Sequence, residues 1–221
     1  MTNLANPLLS PVRASLSEAL SLAPNPMEAN LDKPQEYCGV FGIYAPQEEV
    51  AKLTYFGLYA LQHRGQEAAG IATFDGTVAH VYKDTGLVSQ VFNEAILNQL
   101  PGQIAIGHTR YSTTGASRAA NAQPMMAETR LGNLAVAHNG NLVNAHLLKD
   151  ELIAANYLPE TTSDTEMIAL AIAAAVDEGQ DWLDGTVTAL KRCQGAFSLA
   201  IATPQGIMGV RDPHGIRPLV I

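Results

Sequence analysis

Apolar residues fall along this chain in short blocks whose period changes from one block to the next. CGVFGIYA (38–45) reads as a buried strand, and Val50, Leu53, Phe56 and Ala60 then recur at helical spacing, predicting a helix over 48–61. AGIATF (69–74) and TVAHVY (77–82) flank Asp75 and Gly76, a strong hairpin signal. The pattern next predicts a helix over 89–100, a strand through QIAIGHT (103–109) and a long polar loop over 111–122. MMAET (125–129) and NLAVAHN (133–139) pair across Leu131 and Gly132, and residues 141–156 carry the spacing of a helix. Ser163 followed by Glu166 is a capping box that opens an apolar helix through Val176. A helix over 182–192 and the strands AFSLAIA (196–202), GIMGV (206–210) and RPLVI (217–221) complete the order.

Strands and helices alternate in blocks with hairpins prominent, which disfavours a doubly wound parallel sheet. The expectation is an α+β fold, two antiparallel sheets covered by helices. Residues 1–34 have another texture, rich in Ser, Pro, Asn and Ala with only a weak helical pattern over 12–22, and read as a poorly ordered leader. At the other end RPLVI stops inside a predicted strand with no cap or turn after it, so the chain reads as truncated there.

Composition narrows the function classes. With 221 residues, 47% of them hydrophobic, there is material for one sizeable core. A net charge of -8 with no basic stripe argues against nucleic acid as a partner. The apolar run IALAIAAAV (168–176) is about half the length a bilayer span needs, so no membrane is expected. The N-terminus lacks a secretory signal, and with Arg13 and Lys33 its only cations before residue 37 it is a poor organelle address. Two cysteines, Cys38 and Cys193, form no disulfide framework or zinc spacing, which fits a cytoplasmic setting.

Candidate chemistry centres on Cys38. A cysteine attacks as thiolate, and an ordinary thiol titrates near ~8.5, so a base must take its proton. If the chain is cut before Cys38, the new α-amine, titrating near ~8, can do so. A small core residue in a strand is the plain alternative.

Five segments then occur in order: YCGVFGIYAP, LQHRGQEAAGIATF, IAIGHTRYSTTG, LAVAHNGNLVN and TTSDTEMIAL. The series resembles the class II glutamine amidotransferases, and LQHRGQEAAG with RDPHGIRPL (211–219) resembles the amidophosphoribosyltransferase family among them, over residues 37–221. The resemblance implies an N-terminal nucleophile hydrolase fold, a four-layer αββα sandwich, with residues 1–37 a propeptide removed autocatalytically and 38–221 a glutaminase domain whose C-terminal part is missing. It implies Cys38 as nucleophile and the Asn139 side chain with the Gly140 N–H, at the turn after LAVAHN, as oxyanion hole. Arg110 and Asp164 would clamp the carboxylate and ammonium of glutamine, with Arg64 and Gly65 near the cysteine and Tyr111 on a closing loop. Taken singly, Asn139 and Gly140 also suit a plain turn, Asp164 a helix start and Arg110 a solvated strand end.

The full enzyme that the resemblance implies passes ammonia to a phosphoribosyltransferase domain, absent here, which converts phosphoribosyl pyrophosphate to phosphoribosylamine in purine synthesis. It would be a homo-oligomer using Mg and, in some members, an iron–sulfur cluster with ligands largely beyond Ile221. In this chain no cofactor or metal is expected: the histidines form neither an HExxH pair nor a Cys-His cluster, and His63, His108 and His138 read as structural. Two other readings stay open, a non-catalytic assembly module and an amide hydrolase acting on something other than glutamine.

Overall fold

The computed structural model describes residues 38–111 and 119–221. The leader over 1–37, with its weak helix, and most of the loop predicted over 111–122 lie outside them.

The strands form two four-stranded antiparallel sheets. The first runs β1 (Gly39–Tyr44), β4 (Ile104–Arg110), β2 (Ala68–Phe74), β3 (Ala79–Thr85), and the second β5 (Met125–Thr129), β6 (Gly132–Leu142), β7 (Gly195–Thr203), β8 (Gly206–Arg211). Alternation along each strand sets the layers. On β2, Ala69 and Ile71 pack with Ala51 and Leu58 of helix α1 (Val50–Ala60) and with Val88 and Val91 of the short helix α2 (Val88–Val91). Ala72 and Phe74 turn the other way, against Ile104 and Ile106 of β4 and Ala135, Ala137, Ala200 and Ala202 of the second sheet. The outer face of that sheet, Leu134, Val136, Leu199 and Ile201, packs against Ile168 and Ile172 of α5 (Asp164–Asp177). Leu148 and Leu152 of α4 (Ala145–Ala154) and Trp182 and Ala189 of α6 (Trp182–Leu190) complete that cluster.

Helix, sheet, sheet and helix are therefore stacked as the expected four-layer αββα sandwich. Alanine dominates the layer between the sheets, so β4 and β6 lie near enough for a side chain of one to reach the backbone of the other. The apolar run of α5 is explained by burial on nearly every side, and among the described residues no helix is long and apolar enough to cross a membrane.

Four local expectations are corrected. The helix over 89–100 is two short ones, α2 and α3 (Glu94–Leu97), because Phe92 is extended and Asn93 caps a new start by accepting from Ile96 N at 2.9 Å. The helix over 141–156 begins only at Ala145, since Asn141 and Leu142 stay in β6, paired with Ala196 and Gly195. The capping box is half formed: Ser163 Oγ accepts from Thr165 N, but the Glu166 carboxylate turns to the preceding loop and accepts from Glu160 N and Thr161 N at 2.8 and 2.7 Å. Finally, RPLVI is not a strand. Asp212 folds the chain into a turn, Pro218 has no N–H to pair, and the Leu219 and Ile221 side chains lie over Gly209 of β8.

Candidate active site

The first sheet delivers one half of the site. Gly39 pairs with Thr109, so Cys38 stands beside Arg110 where β1 begins and β4 ends. A single 3-10 turn after α1, Gln62–Arg64, carries Arg64, whose Nε donates to Cys38 O at 3.0 Å. Gln62 stiffens this turn, accepting from Val88 N at 2.6 Å and donating to Gly65 O. Gly65 then crosses the end of β4 so closely that a Cβ there would lie 2.7 Å from the carbonyl carbons of Thr109 and Arg110. The Tyr111 N–H hydrogen-bonds the Cys38 sulfur, and its ring is exposed. Cys38, Arg64, Gly65, Arg110 and Tyr111 are thus brought together as expected.

The second sheet supplies the other half, with one correction. Asn139 and Gly140 lie not in a turn but inside β6, opposite Ser198 and Phe197. A Cβ on Gly140 would strike Ala196 O and stand 2.7 Å from both His138 Nε2 and Phe197 Cα, so the strand contact itself demands glycine. Pairing between β5 and β6 stops at Met125 and Val136, and the Gln123 side chain takes over, accepting from His138 N at 2.7 Å. Asp164, the first residue of α5, accepts from Leu142 N at 3.0 Å and lies 3.6 Å from His138 Nδ1, which is itself 3.2 Å from Thr165 Oγ1. It therefore ties the start of α5 to the end of β6, while 23% of its side chain stays accessible.

A hydrogen bond across the sheets sets the two halves at one height. His108 Nε2, on β4, donates to His138 O, on β6, at 3.1 Å. Two residues on from His108 is Arg110; one on from His138 is Asn139. The charge of Asp164 acts on the Cys38 sulfur from the start of α5, which packs on the far sheet, so the halves converge.

His108 is fully buried, and burial first, then the His138 ring, depresses its pKa from 6.5 to about 3, the bond to His138 O opposing. A folded pKa below the unfolded one means stability is complete above pH ~6.5 and is lost as pH falls towards the folded value. Between pH 7 and pH 5 the chain should lose about 2 kcal/mol of stability as unfolded His108 takes up a proton. Urea unfolding at the two pH values checks this: the drop should shrink in His108→Gln, and an equal drop in both proteins would assign it to other groups.

At Cys38, burial raises the thiol pKa, opposed by the Tyr111 N–H and the charges of Arg110 and Arg217, with Asp164 adding to the rise. The raised direction means a largely protonated thiol at neutral pH. Asp164 is held below its ordinary value although burial pushes it up, because His138 and the Leu142 and Thr165 N–H groups together outweigh burial. At neutral pH it is an anion.

Other candidates fall outside this cluster. His63 Nδ1 contacts Ala60 O on the surface, and Cys193, pushed up to about 11 mainly by burial, faces Ala189 O at 3.6 Å. Among the described residues no group of three or more His, Cys, Asp or Glu is placed to hold a metal, and two cysteines fall short of the four thiolates an iron–sulfur cluster takes. The described residues therefore do not fit a Mg ion or an iron–sulfur cluster. Sequence reading assigned no role to Gln123, Asp212 or Arg217. Asp-Pro-x-Gly after a strand was the available signal for Asp212; Gln123 offered none.

A family model described as a glutamine amidotransferase domain matches residues 108–221. An amidophosphoribosyltransferase of Synechocystis sp. is 66% identical over 191 residues, covering 86% of this chain and 39% of the relative. That of Synechococcus elongatus is 63% identical over 190 residues, covering 86% and 38%. The solved glutamine phosphoribosylpyrophosphate amidotransferase from B. subtilis, complexed with ADP and GMP, superposes with a TM-score of 0.72 at 40% identity, over 81% of this chain and 38% of that one. The chain spans about two fifths of the length of these curated relatives.

Proposed function

The chain belongs to the glutamine amidotransferase domain family, and from that premise we propose that it hydrolyses glutamine to glutamate and ammonia with Cys38 as nucleophile. The observation that carries this reading is the convergence on one sulfur of Arg110 and the Tyr111 N–H from the end of β4 and the charge of Asp164 from the start of α5.

The sulfur needs a base, and no imidazole stands out among the groups acting on it: His108 is spent on His138 O, and Nδ1 of His138 on Thr165 and Asp164. The α-amine released by removal of residues 1–37 lies on the same residue as the thiol and is the simplest base. The thiolate then attacks the side-chain amide carbon of glutamine, forming a C–S bond and a tetrahedral oxyanion. Asn139 Nδ2 and Gly140 N–H donate to that oxygen. The C–N bond breaks, the amine's proton passes to the leaving nitrogen, and ammonia departs. Water, deprotonated by the α-amine, cleaves the γ-glutamyl thioester and restores the thiol. Arg110 holds the substrate α-carboxylate and Asp164 its α-ammonium, while Arg64 braces Cys38 through its carbonyl. On the pattern of the relatives, the ammonia serves a phosphoribosyltransferase domain.

Arg110→Ala tests the substrate assignment. Loss of a charge-assisted pair should raise KM for glutamine by about tenfold to a hundredfold with kcat little changed. An unchanged KM would mean that no α-carboxylate is held there, and would favour an amide substrate other than glutamine.

A further inference from the structure

The segment after β8 is anchored far more firmly than a surface turn requires. Asp212, 3% exposed, accepts from the N–H groups of His214, Ile216 and Arg217 at 2.9, 3.1 and 3.2 Å, and from Phe197 N at 3.3 Å. Its own N–H donates to Phe197 O at 2.8 Å. Phe197 is the residue of β7 that pairs with Gly140. One buried carboxylate thus nails the turn to the strand position beside the proposed oxyanion hole. Arg217 emerges from it partly buried, its Nε enclosed and without a hydrogen-bond partner among the described residues. Its charge falls on the Cys38 sulfur, alongside that of Arg110.

A guanidinium taken partly out of water with an unpaired Nε is costly unless an anion faces it. Cys38, whose sulfur its charge acts on, becomes anionic in the proposed reaction beside the strand position to which Asp212 fastens this turn. We propose that Arg217 is a further functional residue of this site, a fixed positive charge that stabilises the Cys38 thiolate, and that Asp212 is the residue that positions it. The proposal rests on Cys38 being the nucleophile. Around the sulfur the charged groups would then be Arg110 at the end of β4, Arg217 after β8 and Asp164 at the start of α5, with the Tyr111 N–H on the sulfur and Arg64 on the carbonyl.

The test is the pH dependence of Cys38 alkylation by iodoacetamide, followed by peptide mass in a Cys193→Ser background. Arg217→Gln should move the midpoint up and slow alkylation at pH 7.5 by about threefold to tenfold, the effect of losing one nearby charge. Asp212→Asn should move it the same way, and Arg217→Lys, which keeps the charge, should stay within about twofold of the parent. Arg217→Met replaces the Gln variant if that one fails to fold. A Gln or Met profile superimposed on the parent's, or a Lys variant as slow as the neutral ones, overturns the proposal. A parent whose Cys38 is not alkylated at any pH would instead sink the nucleophile reading, and this proposal with it.

Discussion

Cys38→Ala should lower kcat/KM for glutamine hydrolysis by about 10⁴-fold or more, because a covalent mechanism loses its bond-forming atom and no neighbour can replace it. Arg110, Tyr111 N–H and Asp164 polarise or position but cannot attack an amide at neutral pH. Folding should be nearly untouched. Cys38 precedes β1 and belongs to none of the three apolar clusters, so the unfolding midpoint should correspond to within about 0.5 kcal/mol of the parent. The same substitution should leave residues 1–37 attached if their removal is driven by this thiol. Glutamate release and intact mass, measured together on the variant, check both. Glutaminase activity surviving within tenfold of the parent would remove Cys38 from the mechanism.

Asn139→Ala should lower kcat by about 10²- to 10³-fold with little change in KM, the cost of one donor to an oxyanion that exists only during the reaction. Its placement makes this a sharp test. Asn139 is 5% exposed and held by pairing with Ser198 inside an eleven-residue strand, so its position is set by backbone and not by a mobile turn. Alanine keeps the strand and removes only the amide. Steady-state kinetics on glutamine decide it: a rise in KM with kcat intact would make Asn139 a ground-state contact. Gly140 is a poor probe of the same hole, because any side chain there collides with Ala196 O whatever its chemistry.

Much of this was legible in the sequence because the periods were clean. Ala69, Ile71, Ala72 and Phe74 alternate so regularly that β2 and its two buried faces follow from the order of residues, and the apolar spacing from Ile168 to Val176 gives α5. What misled were local signals overridden by tertiary partners. Asn139 and Gly140 read as a turn, yet β7 pairs with both and carries the strand through Leu142. Glu166 sits at the spacing of a capping box, yet Glu160 N and Thr161 N offered its carboxylate nearer donors. Within the site, Cys38, Arg64, Gly65, Arg110 and Tyr111 were found by motif and meet at one sheet end. Asp212 and Arg217 were not assigned, because their roles depend on the N–H groups that one carboxylate gathers, including one from β7.

The proposed function stands or falls with Cys38, freed at its α-amine, as the nucleophile towards glutamine. The most direct measurement is the intact mass of the purified chain after exposure to an electrophilic glutamine analogue. The expected result is a mass lower by residues 1–37 and one covalent adduct, mapped to Cys38 and suppressed by excess glutamine. A chain that has lost those residues yet takes up no adduct, or takes it up at Cys193, would contradict it.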